Sequence, residues 1–214
     1  MHNGLIAGFS TIRRHLVASL SDKAYDAVQS FHSDSAISFA LFLNFLPDTD
    51  KQLLPDAILR ALQQTISLIA KTQEAHNITS TSLLNFVVTD GSTLVATRFV
   101  SPENDTAASL YYAEGSTFRR VDGSSTAGEG DYELEFSERG ARVVIVASEP
   151  ITGSKSDWVA VPKNHALVVT RDRTNGYIDV IHTPIFSGAP CVRQSEVFAC
   201  LAAANSIRTL PLHY

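Results

Sequence analysis

Cysteine is almost missing. The 214 residues hold only Cys191 and Cys200, both late in the chain. One such pair is not a disulfide framework, and no other Cys or His stands at zinc-finger spacing. So few cysteines fit a reducing compartment. Charge is scarce too, at 18% of residues, which excludes a disordered or coiled-coil chain. Neither sign dominates: 17 basic residues face 22 acidic ones, for a net charge of -5. The basic residues are scattered, pairing only at Arg13-Arg14 and Arg119-Arg120, so there is no electrostatic footprint for nucleic acid. No apolar run approaches the roughly 20 residues that span a bilayer. No basic stretch leads into an apolar one at the N-terminus, so no signal peptide is read and the two sequons, at Asn77 and Asn104, are taken as chance. The expected setting is soluble and cytoplasmic. The G-x-S-x-G, H-E-x-x-H, G-x-G-x-x-G and P-loop motifs are all lacking. The seven histidines show no metal-ligand spacing. No metal and no cofactor are therefore expected.

What is there is a chain with 44% hydrophobic residues, enough for one sizeable core. Its first third reads as helical. Phe9–Leu20 carries apolar residues at Phe9, Ile12, Leu16 and Leu20, with Ser10 as its cap. Asp34–Leu46 is apolar nearly all round, the pattern of a buried helix. From Pro55 to Ala75, Leu54, Ile58, Leu62, Ile66 and Ile69 form one stripe.

After Leu83 the period changes to two. Asp90-Gly91 joins Leu83–Thr89 to Thr93–Val100, a strong hairpin signal. Further hairpins are predicted at Glu114-Gly115, near Arg139-Gly140 and at Pro162-Lys163-Asn164, and Asn175-Gly176 turns the chain into Tyr177–His182. Helices first and hairpins afterwards mean an α+β fold. Residues 122–131, rich in Gly and Ser, read as a loop, and Gln194–Ala204 as a short helix in a tail over 187–214.

Three segments point further. They are His2-Asn3-Gly4; Ser33-Asp34-Ser35 leading into Phe39-Ala40-Leu41-Phe42-Leu43; and Ala147-Ser148-Glu149-Pro150 followed by Asp157-Trp158-Val159-Ala160-Val161-Pro162. With Thr89-Asp90-Gly91 and Ala96-Thr97-Arg98-Phe99, their order resembles the class II glutamine amidotransferases. The nearest branch is the amidotransferase subunit of the fungal Dug complex, which degrades glutathione. The resemblance covers residues 1–186, taken as the C-terminal part of such a domain.

The resemblance implies an Ntn-hydrolase-like αββα sandwich, two antiparallel sheets between helical layers. It implies a small-molecule γ-glutamyl substrate, glutamine or a γ-glutamyl peptide such as glutathione, and a peptidase partner subunit. An N-terminal cysteine attacks the amide, and the resulting oxyanion needs preorganised donors. The matching donors here are the Asn3 side chain and the Gly4 backbone N–H. Asp34 matches the aspartate that holds the substrate α-ammonium, and it also has the place of a helix cap. Asn3 and Gly4 are expected at the rim of a pocket facing Asp34. Arg98 and Glu149 read as structural and Trp158 as core.

One departure is large. Position 2, where the resemblance requires the cysteine, holds His2, and the region that supplies an α-carboxylate-binding arginine has no counterpart. The expectation is a domain truncated at its N-terminus and inactive by itself. A fragment, a misplaced start, an alternative transcript, a degenerate paralogue and a non-catalytic binding remnant all stay open.

Overall fold

The computed structural model describes residues 1–120, 132–137 and 140–186. Its first element is a strand not foreseen from the sequence, β1 (His2–Leu5). Four helices follow: α1 (Phe9–Ala18), α2 (Asp22–Asp26), α3 (Asp34–Phe45) and α4 (Pro55–Ala75).

Local sequence explains their limits. α1 is entered through Gly8 in the left-handed conformation, φ 62°, and has no side-chain cap, so Ser10 is not the cap. α3 starts at Ser33, whose Oγ accepts the Ala36 N–H at 3.3 Å. α4 opens with Pro55 and an Asp56–Arg60 ion pair one turn apart. Leu54 lies before the helix and is 71% exposed, so it stands outside the expected stripe. α3 is not buried all round either. Ile37, Leu41 and Phe42 face inward, whereas Phe39 is 52% exposed.

Seven strands then precede a 3-10 turn: β2 (Ser82–Thr89), β3 (Thr93–Arg98), β4 (Val100–Ser101), β5 (Tyr111–Gly115), β6 (Thr117–Arg120), β7 (Tyr132–Glu135) and β8 (Val143–Ala147). After Lys155–Asp157 come β9 (Val159–Ala160), β10 (His165–Arg171) and β11 (Ile178–Pro184). The main antiparallel sheet has the order β1-β2-β3-β10-β11, with β4 also on β2. A second sheet has the order β8-β5-β9, and β6 pairs with β7 as a ribbon.

Two expected hairpins, at Asp90-Gly91 and at Asn175-Gly176, join neighbouring strands. The other three do not. β5 pairs with β8 and β9 instead of β6, β7 pairs with β6 instead of β8, and β9 pairs with β5 instead of β10. Gly115 is no hairpin turn: it pairs with Val143 and packs beneath Leu134.

The main sheet buries both faces. One face packs Leu84, Phe86, Val95, Ala166 and Val168 against Ile12, Leu16, Ile37, Leu41, Leu62 and Ile66 of the helices. The other packs Ala96, Leu167, Val169 and Val180 against Leu110, Tyr112, Val144 and Val146 of the small sheet and its approach. The described residues are thus helical layer, sheet, sheet: α+β, with no second helical layer among them. The 122–131 loop, the Gln194–Ala204 helix, Cys191 and Cys200 fall outside the described residues.

Candidate functional site

β1 is the end strand of the main sheet among the described residues, in register His2↔Phe86, Asn3↔Asn85, Gly4↔Leu84 and Leu5↔Leu83. Alternation along a strand sends neighbouring side chains to opposite faces. His2 goes to the helical face. Its side chain is only 3% exposed, and its ring lies 4.7 Å from that of Phe86. Asn3 goes to the other face and is exposed. Gly4 leaves no room for a side chain, since a Cβ there would lie 1.9 Å from the Leu83 carbonyl oxygen.

Asp34 stands in the first turn of α3 and reaches back to the same edge. Its Oδ2 accepts the Ile6 N–H at 3.3 Å. Its Oδ1 accepts the Ser35 backbone N–H at 2.7 Å and lies 3.3 Å from Ser35 Oγ. His2 Nδ1 is 3.9 Å from Oδ1, and the Asp34 side chain is 27% exposed. The carboxylate is therefore fixed by backbone donors, set at a helix N-terminus, and still open to solvent. That is a fair seat for a cation. The cap function belongs to Ser33.

The structure brings Asp34 and His2-Asn3-Gly4 to one edge, but it does not gather them round one cavity. A pocket of 320 Å³ lies on the helical side of the sheet, lined by Met1, His2, Ser38, Phe39, Phe42 and Phe86 among others. Asn3, Gly4 and Asp34 do not line it. The expected rim of Asn3 and Gly4 facing Asp34 is thus replaced by an arrangement across β1: Asp34 on the helical side and the Asn3 side chain on the side of the small sheet.

That second side is built from the other motifs. Asn85, opposite Asn3, donates to the carbonyls of Ala108 (3.4 Å) and Ser109 (3.0 Å). The Ser109 hydroxyl donates to Glu149 Oε1 at 2.8 Å. Arg98 donates from Nε to the Ala108 carbonyl and from Nη1 to the Val161 carbonyl, at 2.9 and 2.7 Å. Trp158 is buried and donates from its indole to Thr152 Oγ1 at 2.8 Å. Arg98 and Glu149 therefore tie loops together and Trp158 is core.

Sequence reasoning missed His2 and Ser35. Judging histidines by metal-ligand spacing gives His2 no role; its place beside Asn3-Gly4, two residues from the Gly4 that makes room for its ring, was the available signal. Among the described residues no group of three or more His, Cys, Asp or Glu could hold a metal ion, and no helix is long and apolar enough to cross a membrane.

No family model and no solved structure matches the chain. The probable glutamine amidotransferase DUG3 of Saccharomyces cerevisiae does match, 39% identical over 184 residues, covering 80% of this chain and 49% of the yeast protein. The chain thus spans about half the length of that curated relative. Over the aligned residues, the chain is a homologue of a Dug-like glutamine amidotransferase.

Proposed function

We propose that the chain carries part of the glutaminase site of a class II glutamine amidotransferase, or γ-glutamyl amide hydrolase, of the Ntn-hydrolase type. The observation that carries this is Asp34, anchored on the Ile6 N–H and Ser35 N–H at the edge where His2-Asn3-Gly4 runs, in a chain related to a glutamine amidotransferase. Asp34 holds the α-ammonium of the ligand by charge-assisted hydrogen bonds. Asn3 and the Gly4 N–H stabilise the oxyanion, with the ligand spanning the edge of β1 between them and Asp34. In such chemistry a cysteine thiolate attacks the γ-amide carbonyl, the amine leaves with a proton, and water hydrolyses the γ-glutamyl thioester.

In the sequence given, position 2 is His2, and the two cysteines are Cys191 and Cys200. The chain as given is therefore proposed to bind the ligand without turning it over, in the cytoplasm. A peptidase subunit of a Dug-like complex is the proposed partner.

Titration calorimetry with glutamine and with glutathione tests the binding. Asp34→Asn should weaken it roughly ten- to a hundredfold, the scale of one hydrogen bond to a charged group. An unchanged affinity in that variant would remove Asp34 from the site. Turnover lost on mutating Cys191 or Cys200 would make a tail thiol the nucleophile and overturn the proposed inactivity.

A further inference from the structure

His2 and Ser35 belong to the same network as Asp34, and their donors and acceptors can be assigned one by one. His2 Nε2 lies 3.3 Å from the Leu83 carbonyl oxygen. A carbonyl only accepts, so this contact selects the Nε2–H tautomer. Nδ1 is then an acceptor, and its neighbour is Ser35 Oγ at 3.1 Å. A hydroxyl has one proton to give. Ser35 Oγ also lies 3.3 Å from Asp34 Oδ1, a longer reach than to His2. His2 Nδ1 and the carboxylate thus compete for the one Ser35 proton.

The effect on Asp34 follows from counting. An ionised carboxylate offers about four lone-pair sites. The Ile6 and Ser35 backbone N–H groups occupy two of them. The Ser35 hydroxyl, already within hydrogen-bond reach of Oδ1, fills a third whenever its proton points there. With that proton held by His2, the sites left facing solvent remain available to an incoming cation.

We propose that His2 is a positioning residue: by engaging the Ser35 hydroxyl it keeps the Asp34 carboxylate under-satisfied, and so ready for the α-ammonium of a γ-glutamyl ligand. This rests on the role proposed for Asp34. It gives β1 a task on the helical face that is separate from that of Asn3 on the other. Burial supports it, because a side chain held at 3% exposure on Phe86 cannot swing away to release the hydroxyl.

The network makes a signature that plain packing does not. In His2→Phe the ring stays on Phe86 but Nδ1 is gone, so the Ser35 hydroxyl turns to Asp34 and competes with the ligand. Ser35→Ala removes the competitor and serves as the background against which the loss in His2→Phe is read. The double variant His2→Phe/Ser35→Ala recovers what His2→Phe alone loses.

The test measures L-glutamine and glutathione affinity by calorimetry for the whole 214-residue chain and these variants. Nitrogen NMR of the His2 ring and thermal unfolding of each variant accompany it. The expected results are an Nε2–H tautomer, a roughly three- to tenfold loss in His2→Phe, and return to within about twofold in the double variant. A double variant as weak as His2→Phe overturns the proposal, since the loss is then one of packing. So does an Nδ1–H tautomer, which leaves Ser35 free to donate to Asp34; this outcome decides even where His2→Phe fails to fold. Wild-type protein that binds neither ligand, yet shows the Nε2–H tautomer, instead refutes the function proposed for Asp34, and the ligand role of His2 falls with it.

Discussion

The two faces of the main sheet are held in different ways. On the helical face, Ile12, Leu16, Ile37, Leu41, Ile66 and Ile69 are wholly inaccessible, and the joint is one of apolar volume. On the face toward the small sheet the apolar contact is narrower, and much of it is only half-buried. There the joint is completed by polar ties, Arg98 and Asn85 to the backbone of residues 108–109 and Arg98 to Val161. One side chain between the sheets is even left short of a partner: His182 Nε2 is buried without a hydrogen bond, with Tyr112 edge-on at 5.1 Å. The first face resists change in size, whereas the second resists change in hydrogen bonding.

Ile66→Ala should therefore give the largest effect, a loss of about 2–5 kcal/mol with the cavity it leaves in a dry core. Urea unfolding measures it. A loss below about 1 kcal/mol would mean that the helical face is not the more tightly packed of the two.

Arg98→Met should come next. It keeps the aliphatic stem but strands the Ala108 and Val161 carbonyls, at a cost of about 1–3 kcal/mol. Hydrogen exchange should quicken in β5 and β9 and stay slow in α4. Equal quickening in both would show that the two faces open as one unit.

His182 should give the smallest effect, and it depends on pH. Burial, and then the nearby charge of His165, hold its pKa below the ordinary histidine value. The fold favours the neutral ring, so its contribution is fully present above the ordinary value and is lost as pH falls from there through the lower folded value. Wild-type stability should fall more steeply than that of His182→Gln between roughly pH 7 and 5. Parallel curves would mean that the ring already finds a proton acceptor in the joint.

The same contrast decides how much could be read from sequence. α4 was legible because Ile58, Leu62, Ile66 and Ile69 repeat at helical spacing toward a single apolar face. The Asp90-Gly91 hairpin was legible because a local turn fixes its register. The small sheet was not, because its partners are chosen at long range: β5 pairs with β8 and β9, and the intervening glycine at 115 serves close packing instead of a turn. β1 was hidden because Asn3-Gly4 has the composition of a turn and four residues are too few to show alternation. In the site, Asp34 and the Asn3-Gly4 segment came from resemblance to a family. The hydroxyl that links His2 to Asp34 could not be read, because it depends on where two short side chains meet in space.

The register of β1 also has a consequence in time. His2 lies opposite Phe86, so β1 leaves the ribosome long before its partner strand is made. At about 5–20 residues per second, that wait is on the order of ten seconds. Nearby, Gln73 Nε2 donates to the Ala7 carbonyl and to Ser82 Oγ, at 2.8 and 2.6 Å, so the knot behind β1 cannot close until α4 and the start of β2 exist. The edge that carries His2, Asn3 and Gly4 is thus synthesised well before its partner strand and docked late. A nascent chain arrested before Ser82 would expose it to proteases, and one arrested well beyond Thr89 would not.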